Sequence, residues 1–177
     1  AGWGQYYHFT YETFPKGTVV RTFHRELSDA EKAALKAADE SLTGKLGSDP
    51  AGPRSGEATA TFDTAVPAGG SAVVAALEGQ RAITAVRVAM PAIEGTDDPI
   101  AFLREVALRI TWDSDKSPAV WAPLGDFFGT APGINKYKSL PLGMTDEGFY
   151  CFWYMPFAKG AVVELVNDGQ VARKVRM

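Results

Sequence analysis

Residues 149–157 read Phe149-Tyr150-Cys151-Phe152-Trp153-Tyr154-Met155-Pro156-Phe157. In an extended strand, successive side chains point to opposite faces. Both alternating sets of this segment are apolar, so the pattern predicts a strand that is covered on both faces. A second sheet or another subunit is the expected cover.

The segment belongs to a run of short strands that begins near Glu57. Turn formers separate the strands, and Asp168-Gly169 is the two-residue signal of a hairpin with a type I′ turn. Many short strands with few helical patterns predict an antiparallel β-sandwich. The predicted strands cover residues 58–66, 71–78, 82–90, 103–112, 120–122, 148–155, 160–167 and 171–176.

The first third of the chain has a different pattern. Alternation predicts strands at Gly4–Phe14 and Thr18–His24. Ser28 and Glu31 match a capping box, which predicts one helix from Ser28 to about Leu42. The Gly-, Pro- and Ser-rich residues that follow predict a linker. We therefore expect three parts: strands in residues 1–27 that lead in from a preceding domain or a neighbouring subunit, a helix and linker in 28–56, and a sandwich in 57–177.

Composition limits the class of protein. The chain has 177 residues, of which 46% are hydrophobic and 22% charged, and its net charge is −3. It contains no basic block, which argues against nucleic acid as a partner, and no apolar run near the roughly 20 residues that span a bilayer. Both ends lie in strand-like sequence, so we expect a processed chain or a part of a longer one.

Few residues offer metal or nucleophile chemistry. The single cysteine, Cys151, lies among aromatic residues with no histidine near it in sequence, which favours a buried, unreactive thiol. The two histidines, His8 and His24, fall in the predicted first strands. Phosphate-binding loops, zinc motifs and the Gly-x-Ser-x-Gly elbow are absent from the sequence. We predict no metal and no cofactor.

Two acids are candidates for ligand contacts. Asp126 lies between Gly125 and the pair Phe127-Phe128, so it must be exposed, paired or functional. We expect it near a concave site, held by loop amides, an arginine, a metal or a ligand hydroxyl. Asp113 follows an apolar strand; it either binds a cation or a sugar hydroxyl, or only stabilises a turn.

Aromatic side chains suggest a substrate class. Flat rings stack on the C–H faces of sugars while nearby polar groups orient the hydroxyls. Packing in the core is the alternative explanation for most of the aromatic residues. The candidate substrate-binding residues are therefore Asp126, Trp112, Asp113, Tyr137 and Trp153.

Several segments together resemble a known family. They are Leu108-Arg109-Ile110-Thr111-Trp112-Asp113, Pro123-Leu124-Gly125-Asp126-Phe127-Phe128-Gly129, residues 150–157 and Glu164-Leu165-Val166-Asn167. In these segments the chain is similar to a glycoside hydrolase family of jelly-roll proteins that includes α-D-fructofuranosidases, difructose dianhydride-processing enzymes and D-arabinofuranosidases.

The resemblance implies an all-β, jelly-roll-like antiparallel β-sandwich with one flanking α-helix, furanoside substrates and assembly into a homo-oligomer, a trimer or hexamer. The family's Gly-Glu-Gly-Glu-like and Gly-Thr-Glu-Asp-like catalytic stretches do not occur here. The expected function is therefore part of a glycoside hydrolase, with this chain supplying a subsite wall or an oligomer contact. The alternative is a non-catalytic carbohydrate-binding or assembly module.

Overall fold

A computed structural model of the chain describes residues 8–89, 98–131 and 133–177. The first residues of the strand predicted at Gly4–Phe14 and the last residue of the strand predicted at 82–90 lie outside these ranges. The chain divides into two compact units, residues 1–38 and residues 39–177. None of the described helices is both long and apolar enough to cross a membrane.

Helix α1 spans Asp29–Lys45, so the helix predicted from Ser28 to Leu42 is confirmed. Its capping box forms as expected: the Glu31 amide donates to Ser28 Oγ at 3.3 Å, and the Ser28 amide donates to Glu31 Oε2 at 2.8 Å. The helix runs past Gly44 and ends before Gly47, whose φ of +81° is the left-handed conformation that closes many helices.

The two strands predicted before the helix are wrong for the described residues. Residues 8–27 form neither helix nor strand, and the side chains of Tyr11, Val19 and Phe23 are at least 80% exposed. Alternation identifies residues that suit a strand, but a strand also needs a neighbouring strand to satisfy its amides. Whether these residues lead in from another domain or subunit stays a prediction.

The second unit is an antiparallel β-sandwich, as the sequence predicts. Its described strands are β1 Asp63–Val66, β2 Gly70–Glu78, β3 Arg81–Ile83, β4 Val86–Ala89, β5 Val106–Trp112, β6 Val120–Pro123, β7 Tyr137–Lys138, β8 Leu142–Thr145, β9 Gly148–Cys151, β10 Met155–Phe157, β11 Gly160–Asn167 and β12 Arg173–Arg176. All pairs of these strands are antiparallel. The two large sheets have the orders β2-β11-β5-β6 and β4-β9-β8-β7, and the two smaller sheets are the pairs β1-β12 and β3-β10.

The core lies between the inward faces of the two large sheets. Leu108 and Ile110 of β5 and Leu165 of β11 have no exposed surface, and Phe149 and Cys151 of β9 meet them in the same cluster. Burial of these alternating positions is the main stabilising term of the unit. Burial also raises the pKa of the Cys151 thiol, which agrees with the unreactive role predicted for it.

Residues 98–131 contain two further helices that the sequence pattern did not predict: α2 at Pro99–Glu105 and α3 at Leu124–Phe127. Both are shorter than the window in which helical periodicity can be recognised. In α2, the Asp98 side chain accepts a hydrogen bond from the Ala101 amide, and Pro99 occupies the first helical turn, where its missing N–H is tolerated.

The hairpin predicted at Asp168-Gly169 is wrong. Strand β11 pairs with β2 and β5, whereas β12 pairs with β1. The buried Asn167 side chain explains the difference. Its Nδ2 donates to the carbonyl oxygens of Val66, Pro67 and Val171, and its Oδ1 accepts from the Gly169 amide. The turn therefore passes the chain to another sheet instead of reversing it.

The strand predicted at 148–155 divides into β9 and β10, and each face of β9 has its own cover. Phe149 and Cys151 face the core, while Tyr150 and the following Phe152 are 6% exposed on the outer side. Residues 46–62, which we call the strap, reach that outer side at Gly47: its backbone is hydrogen-bonded to the Tyr150 hydroxyl, and a Cβ on it would be 3.5 Å from the Lys138 side chain. The second cover is thus a segment of the same unit.

Candidate functional site

The five candidate residues do not form one cluster. Trp112 and Asp113 lie at the end of β5, whereas Asp126 lies in α3. Ala107 at the start of β5 pairs with Pro123, the residue before α3. Because a strand rises about 3.3 Å per residue, the five residues from Ala107 to Trp112 separate the two places by about 16 Å.

Asp113 stabilises a turn. Its carboxylate accepts hydrogen bonds from the backbone amides of Ala158, Lys159 and Gly160 at 3.0, 2.5 and 3.0 Å, and these bonds lower its pKa. It holds this position with a φ of +52°. Its neighbour Trp112 stacks on Phe157 with ring centroids 6.0 Å apart. Both residues join β5 to the β10–β11 connection.

Asp126 forms an ion pair with Arg104 of α2, one of the partners expected for it. The two side chains are 36% and 52% exposed. Next to Asp126, Phe127 meets Trp153 edge to face with ring centroids 6.0 Å apart, and Trp153 is 45% exposed. Asp126 and Trp153 therefore lie on either side of Phe127. We call the surface formed by these residues and Arg104 the α2–α3 surface.

Tyr137 lies behind this surface. Its hydroxyl donates to the Phe128 carbonyl at 2.5 Å, and burial raises its pKa. A Cβ on Gly129, which has a φ of +69°, would meet that hydroxyl at 2.8 Å. The tyrosine therefore fixes the loop after α3, and it also borders a concave feature of the second unit.

That feature is an open groove of about 1700 Å³ between the strap and the sheets. Its lining combines aromatic rings with charged groups of both signs. Of the five candidates, Tyr137 alone lies in it. The lining residues on which the argument depends are Asp49, Arg54, Glu57, Arg87, Tyr137 and Tyr154.

The strap side of the groove carries a charged network. Arg54 binds Asp49 through two contacts, Nη1 to Oδ2 at 2.5 Å and Nη2 to Oδ1 at 3.3 Å, and its Nη1 lies 3.4 Å from Glu57 Oε1. Glu57 also accepts from the Thr84 hydroxyl. The hydrogen bond from Arg54 lowers the pKa of Asp49, which keeps this carboxylate ionised as a hydrogen-bond acceptor.

The sheet side of the groove is aromatic. The Arg87 guanidinium lies 5.3 Å from the centroid of Phe152, and Phe152 in turn lies 5.0 Å from Tyr150. Tyr154 also lines the groove and is 62% exposed. An exposed ring next to fixed charges can hold the apolar face of a ligand while the charges bind its polar edge.

Sequence reasoning missed most of the groove. The strap has the composition of a linker, and Arg54, Asp49 and Glu57 carry no motif. One signal was available: the apolar outer face of Phe149–Phe157 required a cover, and the strap is the segment that supplies part of it.

The sequence was compared with known proteins. The model of a family described as GH172 domain-like matches residues 56–176, more than half of the chain. The match contains all twelve strands, the groove's sheet side and the α2–α3 surface. No curated protein matches the chain.

Proposed function

Because the chain belongs to the GH172 domain-like family and is thus glycoside hydrolase-related, we propose that it forms part of a glycoside hydrolase that acts on fructofuranosides or arabinofuranosides. In this proposal the groove is a wall of the carbohydrate subsite. The observation that carries it is one concave surface lined by both the exposed Tyr154 ring and the charged side chains of Arg54 and Arg87.

The groove's chemistry supports sugar binding. A furanose ring offers an apolar face that can stack on Tyr154, and hydroxyls that both donate and accept hydrogen bonds. Arg87 supplies donors, while Asp49 and Glu57 supply acceptors. Because Arg54 already holds these two carboxylates, little ordering entropy is lost when a ligand binds.

The acids of the strap suit binding better than catalysis. Retaining glycosidases need two carboxyl groups about 5 Å apart, one of them with a raised pKa so that it can donate a proton. Asp49 has a lowered pKa and an arginine partner, the opposite of a general acid. We therefore propose that catalytic carboxylates come from outside this chain.

The groove is tested by calorimetric titration with fructofuranosyl and arabinofuranosyl oligosaccharides. Tyr154→Ala is expected to weaken binding at least about tenfold, or 1.4 kcal/mol, because it removes the exposed stacking ring. The matched control is Val171→Ala, which changes a residue of similar exposure outside the groove and should leave affinity unchanged. Equal affinities of Tyr154→Ala and the unmodified protein would contradict the proposal. Binding with no hydrolysis by an assembly that includes the source of the catalytic carboxylates would favour the alternative of a non-catalytic carbohydrate-binding module.

We also propose that the chain self-associates, as a trimer or a multiple of it, through the α2–α3 surface. Exposed apolar side chains support this role: Ile100 is 53% and Trp153 45% exposed, around the Arg104–Asp126 ion pair. Aromatic residues and arginine are enriched at protein interfaces. The apolar outer face of β9 gives no support to self-association, because Tyr150 and Phe152 on that face are already buried within the unit.

Sedimentation velocity tests the assembly. The unmodified protein is expected to sediment as a trimer or its multiple at micromolar concentration, and Trp153→Ala to shift it towards monomer, since aromatic anchors dominate interface energies. Val171→Ala serves again as the control. A monomer at these concentrations would reject the assembly proposal and leave the groove proposal untouched.

A further inference from the structure

A row of four side chains crosses the outer face of the sheet β2-β11-β5-β6. Val73 pairs with Glu164, Glu164 with Arg109, and Arg109 with Trp121. Neighbouring strands lie about 4.8 Å apart, so the row is about 14 Å long. This sheet is the layer opposite the one that forms the aromatic side of the groove, so the row is a separate surface, which we call the platform.

The centre of the platform is held in a fixed geometry. Arg109 Nε donates to Glu164 Oε2 at 2.9 Å, and Arg109 Nη2 donates to Glu164 Oε1 at 2.7 Å. This bidentate arrangement orders both side chains. The guanidinium also lies 5.7 Å from the centroid of the Trp121 ring, which places the indole beside the charged pair.

The polar pair and the indole differ in exposure. The side chains of Arg109 and Glu164 are 28% and 18% exposed, whereas Trp121 is 61% exposed. The indole therefore presents a flat apolar face to solvent, next to a rigid donor and acceptor. Nothing in the packing of the sheet requires a tryptophan here, because its ring contributes little to the core.

We propose that the platform is a second carbohydrate-binding site, which holds a sugar residue of a furanose polymer outside the groove. The sugar's C–H face stacks on Trp121. Its hydroxyls, which donate and accept, bind the remaining lone pairs of Glu164 and the outer N–H groups of Arg109. A 14 Å row accommodates more than one ring of a chain, which favours a polymer over a monosaccharide.

A carbohydrate suits the platform better than a protein partner. A ligand on the platform removes water from the Arg109–Glu164 pair, and this desolvation offsets most of the pair's attraction unless the ligand supplies hydrogen bonds of its own. Sugar hydroxyls replace the water that these charges lose. The pair also has no net charge, which suits an uncharged polysaccharide and gives no attraction for a strongly charged ligand.

The experiment uses two probes that separate the platform from the groove. Affinity electrophoresis in gels that contain a levan-type fructan or a linear arabinan reports polymer binding, and titration with an aryl furanoside reports the groove. We expect Trp121→Ala to weaken polymer binding at least about tenfold and to leave the aryl furanoside affinity unchanged. Trp121→Phe keeps a flat ring and should lose less than about threefold, while Val171→Ala, an exposed change outside the row, should lose nothing.

Each outcome decides the proposal. Polymer affinity that is the same in Trp121→Ala and the unmodified protein overturns it, as does an unmodified protein that binds neither polymer, even if the aryl furanoside still binds. A change in sedimentation coefficient caused by Trp121→Ala also overturns it, because the face would then belong to a protein interface. Because Trp121 is exposed, this variant is expected to fold, which circular dichroism checks.

Discussion

Phe128→Ala is expected to lower the free energy of unfolding by about 3–5 kcal/mol, the range for removing a fully buried phenylalanine. Phe128 has no exposed surface. Its ring stacks on Phe149 with centroids 5.0 Å apart and meets Phe127 edge to face at 4.9 Å. The alanine variant would leave a cavity between α3 and the sheet β4-β9-β8-β7 that these rings cannot fill without moving the helix.

Urea unfolding followed by far-ultraviolet circular dichroism measures the effect. Trp121→Ala is the control, because it removes an aromatic ring that is 61% exposed and lies outside the surface proposed for self-association; its loss of stability should be less than half as large. If Phe128→Ala cost less than about 1 kcal/mol, the packing of α3 on the sheet would be loose, and the position of the Asp126–Arg104 pair would have to be fixed by other contacts.

The helix and the sandwich could be predicted because their signals are local. The Ser28–Glu31 capping box and the alternation in β5 each concern residues a few positions apart. The prediction of strands before α1 was wrong for a related reason. Alternation is a property of neighbouring residues, whereas a strand must also pair with a segment that can be far away in sequence. The turn at Asp168-Gly169 failed because the buried Asn167 side chain, and not the turn residues, determines where the chain goes next.

The candidate site was harder to predict, because its contacts join residues that are far apart in sequence. Asp126 was recognised as an acid that needs a partner, yet that partner, Arg104, lies in a helix of seven residues that no periodicity indicates. Asp113 was recognised as well, but its three amide partners are 45 to 47 positions away in sequence. Residue type therefore predicts that a group must be satisfied, whereas the fold decides what satisfies it.

The role of the strap in the groove could not be predicted from its sequence either. Its glycines and prolines have the composition of a linker, and only the folded chain shows that it lies on Tyr150. A glycine of the sheet allows this arrangement. Gly143 pairs with Tyr150 across β8 and β9, and a Cβ at position 143 would overlap the Tyr150 ring and hydroxyl. The tyrosine lies flat across the glycine, where its hydroxyl donates to the Ser139 carbonyl at 2.8 Å.

Gly143→Ala is therefore expected to destabilise the protein by about 1–3 kcal/mol, as overpacking does, and to speed amide hydrogen exchange in residues 46–57 because the displaced Tyr150 ring disturbs the strap. In a Tyr150→Ala background the sign should reverse. The clash is then gone, and alanine restricts the unfolded chain more than glycine does, which favours folding by about 0.5–1 kcal/mol. Gly44→Ala, at a helical position with no atom within 4 Å of the added Cβ, is the control for this intrinsic gain.

A double-mutant cycle over positions 143 and 150 separates the two contributions, since the coupling energy isolates the pairwise contact. Strong coupling would mean that the bare backbone of Gly143 is what lets Tyr150 lie flat and present a surface to the strap. An equal cost of Gly143→Ala in both backgrounds would contradict this account, because the strain would then arise within β8 itself. In that case the position of the strap would depend on its other contacts, such as the hydrogen bond that the Thr84 hydroxyl donates to Glu57, rather than on the packing of Tyr150.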